Sequence, residues 1–160
     1  MQLKALAAVA IAVSFASQAH AQTVIPTYNA VDAETMMAVI KSQGQAEITP
    51  DGSDPQGPIL KVQSPGGLNY SVYMDDCDGG QPSLCKSLEF RATLPPGSIN
   101  FSQVNGFNLT MRYATAYFTD KGVPMLRMDE SVRGGVTAEN LAYSVRIFMK
   151  VVASFVQQAK

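Results

Sequence analysis

Apolar and polar residues alternate with two different periods along this chain, and the periods separate helices from strands. Met36, Val39 and Ile40 recur at helical spacing. Asp32 stands where an N-cap is expected and Gly44 where a helix ends. The pattern therefore predicts an N-terminal helix between these two residues.

A longer apolar stripe at helical spacing occupies the end of the chain. Thr137 is suited to cap this helix, and Glu139 lies in its first turn, where the helix dipole favours a carboxylate. The stripe comprises Leu141, Val145, Phe148, Val152, Phe155 and Val156. We expect it to pack against a sheet.

Strand-like segments fill the region between the helices. In the segment after Cys85, apolar residues alternate with Glu89 and Arg91, which is typical of a sheet with one buried and one solvated face. Further strands are predicted over residues 46–49, 58–64, 68–74, 109–119 and 123–132. Residues 98–108 are interrupted by Gly and Asn, and we expect one short helix there, beginning at Ser102. The prediction is an α+β fold with a mainly antiparallel sheet flanked by the N-terminal and the long C-terminal helix, in the order α-β-β-β-β-α-β-β-α.

The first 21 residues have the pattern of a cleaved signal peptide. Lys4 precedes an apolar run over residues 5–15, and the small-residue pattern ends at Ala21. The run is shorter than the roughly 20 residues of a membrane-spanning helix, which disfavours the alternative of a retained anchor. We expect an exported protein, periplasmic or secreted, without membrane attachment, with a loose leader over residues 22–31 and a single domain over 32–160.

Composition excludes several classes of function for the mature chain. The only histidine, His20, lies in the predicted signal peptide, so a histidine-based triad or metal site is excluded. Without Lys4, 11 cationic residues face 13 carboxylates in a chain with no basic run, which argues against nucleic-acid binding. Asp129 and Glu130 point to opposite faces of a predicted strand and cannot act together as acid and base. We expect no enzyme and no cofactor.

The two cysteines, Cys77 and Cys85, stand at the inner ends of consecutive predicted strands. In an exported protein such a pair is interpreted first as a disulfide, here one that closes a hairpin. A redox pair or a metal-binding pair is the alternative, although catalytic pairs usually have two intervening residues and zinc requires four ligands.

Several local motifs, in this order, resemble the YbjN-domain family, often described as bacterial sensory-transduction regulators. The motifs are Cys77 with residues 85–92, residues 104–108, 112–117, 120–122 and 134–137. The resemblance implies a fold like that of type III secretion chaperones, a tendency to dimerise or bind polypeptide, and no enzymatic activity. Family members often have a tryptophan between the asparagines of the second motif, where this chain has Gly106-Phe107.

The segment from Asp75 to Asp78 contains three carboxylates and suggests a calcium loop. Counted from Asp76, however, Ser87 occupies the position that requires a bidentate glutamate, so a solvated acidic turn is favoured. This segment is the only support for an alternative function, that of a small envelope hydrolase or enzyme inhibitor.

Two candidate surfaces consist of apolar and aromatic residues that the predicted core faces of the helix and the strand do not require. Tyr143, Ile147 and Val151 form a second apolar line on the C-terminal helix, which either a partner or the leader covers. Tyr113 and Tyr117 share one face of a predicted strand, either as binding anchors or as part of the core. We expect a non-enzymatic periplasmic binding or regulatory module with a protein partner or a second copy of itself; a structural domain of a larger envelope assembly is a further hypothesis.

Overall fold

A computed structural model describes residues 25–45, 47–51, 57–65, 67–80 and 82–159. The predicted signal peptide lies outside the described residues. The strands are β1 (Thr27–Tyr28), β2 (Glu47–Asp51), β3 (Ile59–Gln63), β4 (Asn69–Cys77), β5 (Cys85–Thr93), β6 (Thr115–Phe118), β7 (Pro124–Ser131) and β8 (Val136–Thr137). The helices are α1 (Ala33–Ser42), α2 (Phe101–Thr110) and α3 (Ala138–Gln158). The predicted α+β class and the order of its elements are confirmed, with β1 and β8 as additional short strands.

Six strands form one antiparallel sheet in the order β2-β3-β4-β5-β7-β6. Leu88, Phe90 and Ala92 alternate along β5 and are buried under the helices. On the opposite, helix-free face, Arg91 of β5 stands beside Ser71 of β4 in the strand register. The predicted division into a buried and a solvated face is therefore confirmed.

Helix α3 provides the apolar layer over the sheet. The ring of Phe148 lies 5.6 Å from that of Tyr70 and 5.3 Å from that of Phe90, measured between centroids. Phe155 meets Phe107 of α2 in the same way, at 5.0 Å. Aromatic pairs at this separation add to the free energy gained by burying their surface.

Helix α1 begins and ends where the sequence predicts. The carboxylate of Asp32 accepts a hydrogen bond from the backbone N–H of Thr35 at 2.7 Å. This bond also lowers the pKa of Asp32. At the other end Gly44 adopts φ of 75°, the left-handed conformation that follows many helices. Helix α1 lies beside α3, where Arg146 donates a hydrogen bond to the Gln43 side chain at 2.9 Å.

Part of the predicted loose leader is integrated in the fold. Thr27 and Tyr28 pair with Thr137 and Val136 in a two-stranded ribbon. Val31 is 1% exposed and exchanges backbone hydrogen bonds with Cys85 at 2.8 and 2.9 Å. These pairings connect distant parts of the chain, so local sequence patterns do not reveal them.

The second helix differs from the prediction at both ends. It is capped by Asn100, whose side chain accepts from the backbone of Gln103 while the Gln103 side chain accepts from the backbone of Asn100. This reciprocal capping box starts the helix at Phe101 instead of Ser102. The helix continues through Thr110, so the strand expected from residue 109 begins only at 115.

Asn108 explains how α2 is attached to the sheet. Its side-chain amide donates to the backbone oxygen of Ala116 at 2.9 Å and its oxygen accepts from the Ala116 N–H at 2.8 Å. The N–H and C=O groups of Ala116 point away from β7, because Ala116 lies between the residues of β6 that form hydrogen bonds with β7. The amide of Asn108 thus satisfies the outer edge of β6 as a neighbouring strand would.

We predict that Asn108→Ala lowers the free energy of unfolding by about 1–3 kcal/mol, because two backbone groups lose their partners. Urea unfolding followed by circular dichroism measures the change. Asn105→Ala, an exposed position on the same helix, is the matched control and should cost less. Equal losses in the two variants would contradict the role given to Asn108.

Candidate functional site

The sheet has a free edge along the second half of β7. Strand β6 pairs with β7 only from Thr115 opposite Arg127 to Phe118 opposite Pro124. Strand β5 pairs with β7 as far as Ser131. Among the described residues, no strand therefore pairs with the outer side of Met128–Ser131.

The hydrogen-bond pattern identifies which backbone groups point outward at this edge. Leu94 donates to Pro124 at 3.0 Å and Val132 donates to Lys86 at 3.1 Å, so even-numbered residues of β7 bond towards β5. In an antiparallel ladder these alternate with residues that bond to the other side. The N–H and C=O groups of Asp129 and Ser131 consequently point to the free edge.

A cleft of about 230 Å³ lies between this edge, α3 and the loop that precedes β6. Its lining comprises Tyr113, Met128, Asp129, Glu130, Asn140, Tyr143, Ser144 and Ile147. Tyr113 is 56% exposed and Tyr143 is 52% exposed. The cleft therefore combines two accessible aromatic rings with an unpaired strand edge.

The residues of the first predicted surface have different environments. Val151 is 4% exposed and belongs to the core, so it is not accessible to a partner. Ile147 is partly buried and packs against the core with part of its side chain at the cleft. Only Tyr143 is freely exposed. The apolar line predicted on α3 thus becomes accessible only towards the N-terminal half of the helix.

The two tyrosines of the second predicted surface do not share a strand face. Tyr113 lies in the loop before β6, because α2 extends further than expected. It joins Tyr143 and Ile147 in the cleft. Tyr117 lies in β6, where its hydroxyl donates to the sulfur of Met125 at 2.8 Å on the helix-free face. Tyr143 and Ile147 of the first predicted surface and Tyr113 of the second thus contribute to a single site.

The two acidic residues of the cleft lie on opposite faces of β7. Asp129 accepts hydrogen bonds from Arg127, the shortest at 2.8 Å, on the helix-free face. Glu130 accepts from the Ser144 hydroxyl at 3.0 Å on the helix side. Their opposite orientation agrees with the strand pattern. The proximity of Glu130 to α3 depends on tertiary packing, which no local motif indicates.

The helix-free face carries a second concavity of about 400 Å³, which includes Arg91 and Tyr73 in its lining. At its border Glu89 is 6% exposed, and its carboxylate lies 3.0 Å from Arg127 and accepts from Arg91 at 2.7 Å. The Glu89 hydrogen bonds raise the pKa of Arg91. The Arg91 guanidinium lies 3.9 Å from the ring centroid of Tyr73, a cation–π contact. The charged groups of this face thus have their ionic and hydrogen-bond partners within the face itself.

Cys77 and Cys85 form a disulfide between the ends of β4 and β5. They are direct partners in the strand register. The bond closes a short loop, and Cys85 is fully buried. Its place in the sheet agrees with the predicted structural disulfide.

We predict that the double substitution Cys77→Ala and Cys85→Ala lowers the free energy of unfolding by about 2.5 kcal/mol, since it removes a loop constraint from the unfolded chain. Urea unfolding of the variant and of the wild type with and without dithiothreitol measures this. If reduction leaves the wild-type midpoint unchanged, the disulfide does not stabilise the fold.

The carboxylates of the acidic segment have separate structural contacts. Asp76 pairs with Arg133. Asp78 accepts hydrogen bonds from the backbone N–H groups of Leu84 at 3.0 Å and Gly80 at 2.9 Å. Within the described part of the chain, no three acidic, cysteine or histidine residues converge in a metal-binding group. The segment closes the hairpin as a turn.

The bonds from Leu84 and Gly80 lower the pKa of Asp78 below its ordinary value of 3.8. A carboxyl group whose pKa is lower in the native than in the unfolded state stabilises the fold at pH values above its unfolded-state pKa. This stabilisation is lost as the pH falls through the native-state pKa. We therefore predict that Asp78→Asn is less stable than the wild type above about pH 4, and that the difference shrinks below it. Urea unfolding between about pH 3 and pH 7 tests this, with Asp120→Asn in the turn after β6 as control. A difference that does not depend on pH would contradict the prediction.

Comparison with known proteins identifies the family. Residues 32–160 match the family model YbjN, described as "Putative bacterial sensory transduction regulator". The chain belongs to the YbjN family. The resemblance stated from the sequence motifs is thereby confirmed. Comparison with curated protein sequences gives no significant match.

One solved structure shows the same fold at low sequence identity, and a second has a weaker similarity. The crystal structure of Escherichia coli YbjN, titled "a putative transcription regulator", is similar with a TM-score of 0.58 and 17% identity, over 79% of this chain and 89% of that one. The structure of the HopA1-SchA chaperone-effector complex gives a TM-score of 0.49 and 12% identity, over 79% of this chain and 98% of that one. None of the described helices of this YbjN-family chain has the length and apolar character needed to cross a membrane.

Proposed function

We propose that this YbjN-family protein is a non-enzymatic periplasmic binding module that captures a polypeptide in the cleft beside β7. The observation that carries the proposal is that Tyr113 and Tyr143 flank an unpaired strand edge. Tyrosine rings supply large contact areas at low entropic cost and are frequent anchors at protein interfaces. A backbone edge offers hydrogen bonds that a polypeptide is suited to accept and donate.

The proposed compartment has two supports. The first 21 residues have the composition of a signal peptide. The described cysteines are joined in a disulfide, which persists in oxidising compartments such as the bacterial periplasm. The two supports are independent, because one depends on the N-terminal sequence and the other on the pairing of β4 with β5.

The partner is a different polypeptide or a second copy of this protein. Self-association through α3 stays a prediction from the sequence, and light scattering of the mature protein after size-exclusion chromatography measures it. A monomer at micromolar concentration would leave a different polypeptide as the occupant of the cleft. The acidic segment offers little support for the alternative of a hydrolase or inhibitor, since Asp76 and Asp78 are used in structural contacts.

We predict that a photo-crosslinking amino acid at Tyr143 or Tyr113 forms a polypeptide adduct in intact periplasm. The same group at Leu109, which is 88% exposed and outside the cleft, should form few adducts. Tyr113→Ser combined with Tyr143→Ser should abolish co-purification of the adduct partner without lowering the free energy of unfolding by more than about 1 kcal/mol, as expected of exposed positions. Equal adduct yields at Leu109 and Tyr143 would overturn the proposal.

A further inference from the structure

We propose that the cleft binds the lysine or arginine side chain of an extended peptide that adds as a strand to the free edge of β7. This inference rests on the proposed function and specifies how the polypeptide is recognised. It combines two features at one place, the outward backbone groups of the strand and the carboxylate between them.

The edge can receive one short strand. Asp129 and Ser131 present four outward backbone groups, and β6 ends before it reaches them. A peptide that bonds to both residues places one of its side chains directly opposite Glu130, on the helix side of the sheet. That side chain enters the cleft.

The chemistry of the cleft favours a long cationic side chain. Asp129 and Glu130 are the charged residues that line it, together with Tyr113 and Tyr143. Asp129 is paired with Arg127 on the other face, whereas Glu130 has the Ser144 hydroxyl as its hydrogen-bond donor. Lysine and arginine have an apolar stem that can lie along tyrosine rings and a charged end that can reach the carboxylate.

The same edge disfavours pairing with a second copy. Two antiparallel β7 strands related by a twofold axis must place one residue opposite itself. Centring on Glu130 or Asp129 sets identical carboxylates against each other, which destabilises a strand pair. Centring on Ser131 would require Arg133 in the ladder, but the chain turns there, with Gly134 at φ of 86°. The edge therefore selects a different chain with a cation at the central position.

To test this, phage-displayed random dodecapeptides are selected for binding to the mature protein. The affinity of the selected peptides, made synthetically, is then measured by fluorescence polarisation. Glu130→Gln keeps an acceptor for Ser144 and removes the charge. Ser131→Pro removes an outward N–H and leaves the bonds of β7 to β5, with Ser131→Ala as its matched control. Hydrogen exchange of the Asp129 and Ser131 amides reports directly on strand addition.

We expect selected peptides to be enriched in lysine or arginine and to bind Glu130→Gln about tenfold more weakly, as for loss of a charge-assisted hydrogen bond. Binding should be lost in Ser131→Pro, kept in Ser131→Ala, and should slow exchange at Asp129 and Ser131. Peptides that require Tyr113 and Tyr143 but tolerate Glu130→Gln and Ser131→Pro would overturn this inference and leave the proposed function intact. A selection without any cleft-dependent peptide would overturn both.

Discussion

The paired hydrogen bonds between the Asn108 carboxamide and the backbone of Ala116 determine where the sheet ends. They satisfy the outer edge of β6 with a side chain, and they hold α2 against that edge. Because β6 has only four residues, this closure does not extend along the whole of β7. The outward groups of Asp129 and Ser131 remain beyond it, and α3 adds a wall with Tyr143 and Ile147. The cleft is thus a consequence of unequal strand lengths.

Carboxylates on the two faces of the sheet have different hydrogen-bond partners. On the helix-free face, buried Glu89 contacts Arg91 and Arg127, so its desolvation is offset by two guanidinium groups. On the helix side of the free edge, Glu130 has a neutral hydroxyl donor from Ser144. A partner cation would gain more at the second carboxylate than at the first, where the guanidinium groups already occupy the acceptor positions.

Local patterns predicted the parts of this molecule whose causes are local. The Asp32 cap, the alternation in β5 and the stripe of α3 depend on residues within a few positions of one another, and the structure agrees with them. The sequence pattern predicts the start of α2 one residue too late, although Asn100 and Gln103 have capping-box spacing. The burial of Val151 and the meeting of Tyr113 with Tyr143 depend on which elements pack together. Periodicity within one element does not contain that information.

The ribbon between β1 and β8 has a consequence for the order of folding. Thr27 pairs with Thr137, about 110 residues later in the chain, whereas the disulfide joins two cysteines only eight positions apart. Closing a short loop costs less entropy than closing a long one, so the hairpin of β4 and β5 can form while the chain is incomplete. Val31 needs only Cys85 as its partner, whereas β1 reaches its final position only after the residues before α3 are available. During synthesis from the N-terminus, the hairpin of β4 and β5 would therefore form first, and β1 would pair with β8 last.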